Sequence, residues 1–111
     1  MARNYVQQGQ TLTLTAPRTV ASGSGILVGA LFAVALADAA AGQPVEARRV
    51  EVFDLAKASG AWTQGQKVYW DNAAFNVTTT ATNNTLIGVA TQAQASADAV
   101  GRVLLTGQIA A

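Results

Sequence analysis

Cysteine and histidine are both absent from this 111-residue chain. Without Cys, no disulfide supports the fold and no thiolate is available as nucleophile or metal ligand. Without His, the commonest general base and metal ligand is missing, and no nucleophile-His-acid constellation can be assembled. Aromatic residues are scarce as well, with two Trp, two Tyr and three Phe, although half of the chain is apolar. A core built from these residues must use Val, Leu, Ile and Ala around a few large anchors, which suits thin, closely approaching layers. Neither sign of charge dominates. Seven Lys and Arg against six Asp and Glu leave a net charge of +1, and the charges are scattered singly. That is too little for the basic footprint of a nucleic-acid binder, and no nucleic-acid partner is expected.

Long hydrophobic runs are also lacking. The most apolar stretch, GILVGALFAVALADAAAG, holds twelve uninterrupted uncharged residues from 26 to 37. A helix crossing a bilayer needs about 20, so no membrane partner is expected. As the apolar part of a signal peptide it would need about 25 polar, turn-rich residues as its n-region, which argues against that reading. Ile26, Leu27, Val28, Leu31, Phe32, Val34 and Leu36 include β-branched and aromatic residues, and Gly25, Gly29 and Gly42 interrupt them. They read as two short buried strands kinked at Gly29.

The remainder reads as an all-β chain, a small β-sandwich or barrel-like domain. Residues 11–15 alternate Thr and Leu, the period-2 pattern of a half-buried strand, and Pro17 ends it. Residues 45–55 read as one strand whose alternation Arg48-Arg49 breaks, as at a bulge or an exposed edge. Residues 75–82 and 85–91 flank Asn83-Asn84, which tolerate the positive φ of a tight turn, and predict a hairpin. Residues 92–99 read as a link with at most one helical turn, and 101–105 as the last strand. Leu31-Phe32-Ala33-Val34-Ala35 with Val45 is echoed 55 residues later by Leu86-Ile87-Gly88-Val89-Ala90 with Val100. Gly25-x-x-Val28 and Gly65-x-x-Val68 match too. Two similar halves are expected, over about 20–55 and 62–107, in a single β domain from 11 to 111. Residues 1–10 are polar and Gln-rich. They read as an N-terminal arm able to add a strand to a neighbour's sheet edge.

Catalytic chemistry finds little support. The six carboxylates, Asp38, Glu46, Glu51, Asp54, Asp71 and Asp98, read as solvated strand and turn acids. Residues 60–67 have the Gly spacing of a phosphate loop, but Gln66 stands where Lys is required. Asp71-Asn72 with Asn76 lacks the acid spacing and central Gly of a calcium loop. No cofactor, metal or enzymatic activity is expected. Trp62, Tyr69 and Trp70 share a nine-residue window. Trp70 reads as a core anchor, while Trp62 and Tyr69 fit a core, a protein interface or a sugar-stacking platform equally well.

NYVQQGQTLTLTAP at the start, LFAVALADAAAGQPVEARRVEVFDLAKASG and GQKVYWD in the middle, and TNNTLIGVATQAQASADAVGRVLLTG at the end resemble a phage and prophage family. Its members are capsid cement or head decoration proteins, long catalogued as a domain of unknown function. The resemblance runs from about Asn4 to Gly107, with Ala33 standing where the Gly that Gly88 supplies in the second half is expected. It implies a structural β-rich subunit, made in the bacterial host cytoplasm and bound to the outside of the virion. It further implies a homotrimer that clamps neighbouring copies of the major capsid protein. Arg3, Asn4, Tyr5, Val6, Gln7 and Gln8 are then expected to reach across to the shell or an adjacent trimer. Glu46, Arg48, Arg49 and Glu51, with Trp62, Tyr69 and Trp70, are expected to line subunit or shell contacts. The competing reading is a carbohydrate or cell-surface binding module that uses the aromatic face.

Overall fold

The structure is a computed structural model and describes residues 9–107. These residues form nine strands and no helix, as the strand-like sequence patterns predict. Strands β1 (Thr11–Thr15), β2 (Gly25–Val28), β3 (Leu31–Ala35) and β4 (Pro44–Arg48) form one antiparallel sheet in the order β1-β4-β3-β2. Strands β5 (Val50–Ala56), β6 (Lys67–Asp71), β7 (Asn76–Thr78), β8 (Thr85–Ala90) and β9 (Val100–Thr106) form the other in the order β5-β9-β8-β6-β7. The second sheet curls into a half-barrel. A register shift between Val68 and Tyr69 leaves Ile87 as an extra residue in β8, and such a bulge increases local twist. The curl brings the end of β5 to β7, where Ala58 N donates to Val77 O at 2.8 Å.

With β7 set aside, β5, β9, β8 and β6 stand in the same order as β1, β4, β3 and β2. The loops correspond in detail. Val20 and Ala39 exchange backbone hydrogen bonds in one half, and Trp62 and Gln94 in the other. Gly23 N donates to Ala35 O at 2.8 Å, and Gly65 N to Ala90 O at 2.7 Å. Both glycines have positive φ, 89° and 83°. The counterpart of Gly65 is therefore Gly23 and not Gly25. A left-handed backbone position, rather than the spacing to the next Val, selects the glycine. The Val45 echo is displaced too: Val45 is buried, whereas Val100 points outward and Gly101 takes the buried place.

Three local expectations are corrected. The segment 45–55 is two strands belonging to different sheets, because the chain leaves one sheet after Arg48 and enters the other at Val50. The kink at Gly29 is a complete reversal, with Gly29-Ala30 closing the β2–β3 hairpin and Gly29 at φ 60°. Strands β7 and β8 do not form a hairpin about Asn83-Asn84, since β6 lies between them and pairs with both. Asn83 does adopt a positive φ, 62°, but in a wider loop.

Two cores follow from the composition. Ala16, Val20, Ile26, Ala33, Ala35, Val45 and Ala47 fill a small-residue core on the first sheet. The larger core gathers Trp62, Trp70, Leu55, Val68, Val77, Ile87, Val103 and Leu105 from the second sheet, and Phe32 and Val34 of β3 reach into it. Phe32 and Trp70 meet with ring centroids 5.1 Å apart, joining the sheets. Each Trp rests on a glycine. A Cβ on Gly101 would fall 2.2 Å from the Trp62 ring, and one on Gly25 would fall 2.8 Å from Trp70 and 2.9 Å from Phe32.

Gly88 has a different reason. A Cβ there would stand 2.0 Å from the backbone oxygen of Leu104, because β9 continues past it, pairing Gly88 with Leu105. Its first-half counterpart, Ala33, meets no such neighbour, since β4 pairs with β3 only as far as Val34↔Arg48. Gly88→Ala is expected to cost about 3 kcal/mol or more by denaturant unfolding, the upper end for overpacking, because backbone must move. Ala33→Gly is expected to cost only about 1 kcal/mol, the loss of a methyl and some chain stiffness.

Candidate interaction surface

Arg49 occupies the one-residue step between the two sheets. Its backbone N donates to Gln10 O at 2.8 Å, and its guanidinium donates to Gly9 O at 3.3 Å and to Gly107 O at 2.6 Å. The two ends of the described chain are thus held by one side chain. Neighbouring Arg48 donates from Nη1 to Thr11 Oγ1 at 3.2 Å, and its Nε lies 2.5 Å from Glu51 Oε1 without hydrogen-bond alignment. Glu51 is exposed and adopts φ 84°, a strained conformation for a residue with a Cβ. Glu46 accepts from the Thr13 hydroxyl across the β1–β4 ladder. The structure therefore brings Arg48, Arg49 and Glu51 together at the sheet junction. Glu46 stands farther along β4.

The aromatic residues do not make a face. Trp62 and Trp70 are each only 2 % exposed and belong to the core, so neither presents a ring to a sugar or a subunit. Trp70 is the core anchor that the sequence predicts, and the expectation that Trp62 and Trp70 line a contact surface is corrected: in a core poor in large side chains, the two Trp are the filling. Lys57, itself buried, lies over the Trp62 ring at 5.6 Å and donates to Ala58 O and Ser96 O. Tyr69 is half-buried, on the opposite side of β6 from Val68 and Trp70, as the alternation predicts. Arg3, Asn4, Tyr5, Val6, Gln7 and Gln8 lie outside the described residues.

A different apolar surface is present, on the outer side of the β5–β9 ladder. Val52 pairs with Leu104, Asp54 with Arg102 and Ala56 with Val100, all facing away from the core. Val52, Val100 and Leu104 are 49 %, 48 % and 38 % exposed, three of the five exposed large hydrophobics among the described residues. Between them Arg102 grips Asp54 through Nε at 2.9 Å and Nη2 at 3.3 Å. The signal for this face is in the sequence. The alternation Val100-Gly101-Arg102-Val103-Leu104-Leu105 places apolar side chains on both sides of the strand, and only one side is needed for the core.

A family model described as phage cement protein matches residues 6–105. The chain belongs to that family. Membership gives it a structural, phage capsid-associated role and a place in the virion capsid. No curated protein and no solved structure matches the chain. Among the described residues no group of three or more Asp, Glu, His or Cys side chains could hold a metal ion.

Two expectations follow from this geometry. Arg49→Leu should loosen both chain ends, lowering stability by about 1–2 kcal/mol for the lost charge-assisted hydrogen bonds and speeding exchange of the residue-49 amide that donates to Gln10 O. The pH response depends on two carboxylates held below their ordinary 3.8: Asp54 by the Arg102 hydrogen bond, and Asp98 by hydrogen bonds from the Ala95 amide and the Gln94 side chain. A depressed carboxylate adds stability above its unfolded pKa and loses it as pH falls through the folded one. With no His in the chain, the melting midpoint should stay level from pH 7 to about 5, then drop below about pH 4.

Proposed function

We propose that the chain binds the outer surface of the assembled phage head as a homotrimer and clamps neighbouring copies of the major capsid protein. It would be made in the bacterial host cytoplasm and join the head after assembly. The observation that carries this reading is the exposed β5–β9 face, where Val52, Leu104 and Val100 surround a preformed Asp54–Arg102 pair. Apolar area that the fold does not use is what a protein partner buries, and a polar centre fixes the orientation of contact. The segment carrying Arg3 to Gln8 supplies the second contact, a strand-forming arm rooted where Arg49 holds Gly9. Glu46, Arg48, Glu51 and Tyr69 remain candidates for the rim of these contacts.

Stabilisation then follows from mass action. A ligand that binds the expanded lattice better than the loosened one stabilises the lattice, and contacts repeated around closed rings act together. The carbohydrate reading loses its platform, because two of its three aromatic residues are core.

Co-sedimentation with expanded, undecorated shells of the phage that encodes the chain tests the proposal. The wild type should bind with saturable stoichiometry and raise the temperature at which the shells break. Leu104→Asp should weaken binding by at least about tenfold, as expected for a charge placed in a buried contact, while leaving the unfolding transition nearly unchanged. Deleting residues 2–8 should abolish binding with the fold intact; undiminished binding by the truncated protein would refute the arm's role.

A further inference from the structure

A cleft of about 260 Å³ lies between the two sheets, where the loop joining β1 to β2 meets the turn joining β6 to β7. Arg18, Ser22 and Gly25 line it from one side, and Ala56, Trp70 and Phe75 from the other. Arg18 is half-buried and has no acidic partner, since the ion pairs among the described residues are Arg48–Glu51 and Arg102–Asp54. Its Nη2 donates to Gly25 O at 2.8 Å, and its Cζ stands 4.0 Å from the centre of the Phe75 ring. The nearby acids are engaged elsewhere: Asp38 accepts from Ser22 N, and Asp71 accepts from the amides of Ala73 and Ala74.

Phe75 is the unexpected member. It is 42 % exposed and holds φ 56°, a left-handed conformation that a bulky aromatic residue seldom adopts. Core packing does not explain the ring's position, because Phe75 belongs to neither core cluster. Its contact is with the guanidinium. Stacking uses the flat face of Arg18 and one hydrogen bond fixes its direction, which leaves further in-plane N–H donors for a planar, two-oxygen acceptor.

Resting on the capsid-binding reading, we infer that this cleft is a carboxylate-binding site, with Arg18 as the bidentate donor, Phe75 as its stacking support and an acidic side chain of the partner capsid subunit as occupant. A guanidinium already oriented and partly desolvated loses little freedom on pairing, so the carboxylate contact adds direction as well as attraction. The apolar edges of Trp70 and Phe75 suit an apolar residue beside the acid.

The probe is N-acetyl-aspartyl-leucine amide, titrated into isotopically labelled full-length protein and followed by NMR, with its asparaginyl analogue and inorganic phosphate as parallel arms. The aspartyl peptide should shift the Arg18 Nε–H signal, the Trp70 indole N–H and the amides of residues 22–25, saturating in the millimolar range, which corresponds to about −4 kcal/mol. The asparaginyl peptide should leave them still. Arg18→Gln should abolish the response. Phe75→Asn, which suits the left-handed backbone, should weaken it without lowering the melting midpoint. Equal response to both peptides, an unchanged response in Arg18→Gln, or phosphate saturating the same signals as strongly would overturn the inference. The shell assay separates the two claims. If the wild type sediments with shells and Arg18→Gln does so equally well, the cleft is not the contact. If the wild type ignores the shells, the capsid reading falls and with it the capsid occupant, while the titration still decides whether the cleft takes a carboxylate.

Discussion

The fold depends on seating two tryptophans in a chain that has few other large side chains. Each ring occupies the space a Cβ would need, Trp62 over Gly101 and Trp70 over Gly25. The first closes the half-barrel from within, where the loop ahead of β6 crosses β9. The second joins the sheets, because Gly25 belongs to β2 while Trp70 belongs to β6, with Phe32 completing the contact. An aromatic pair of this kind adds about 1 kcal/mol beyond the area it buries. In a molecule whose first sheet packs mostly Ala and Val, that joint ties the layers through large rings.

The two sheets show how equivalent backbones can carry different volumes. Val20 and Val45 share the small core of the first sheet, and Trp62 and Gly101 occupy the corresponding places in the second. The loop residue grows from Val20 to Trp62 while its strand neighbour shrinks from Val45 to Gly101, so total volume changes little. Volume-conserving exchange is the kind of core change proteins tolerate best.

Strand positions were largely legible from the sequence, because alternation and glycine breaks are local signals. Thr11–Thr15 and Val100–Thr106 show it well. Pairing was less so. The Asn83-Asn84 turn chemistry is real, but a strand inserted between β7 and β8 is a long-range event that no local pattern announces. The crossover at Arg49 breaks alternation just as a bulge or an exposed edge does, so the local pattern does not separate the three. The site was legible in part. Arg48, Arg49 and Glu51 do meet at the junction, Trp70 is the core anchor its strand position suggests, and Trp62, whose neighbours gave no alternation to judge by, is core as well. The β5–β9 face is signalled only by apolar residues on both sides of β9, and the Arg18–Phe75 cleft has no local signal, because it is assembled from segments tens of residues apart.

The grip of Arg49 on both Gly9 and Gly107 has a topological consequence. Two carbonyls reached by one guanidinium are near neighbours, so a linker of a few residues could close the backbone into a ring. The exposed Gly29-Ala30 reversal is a natural place to reopen it, giving a circular permutant with the same ladders and new ends on another side of the molecule.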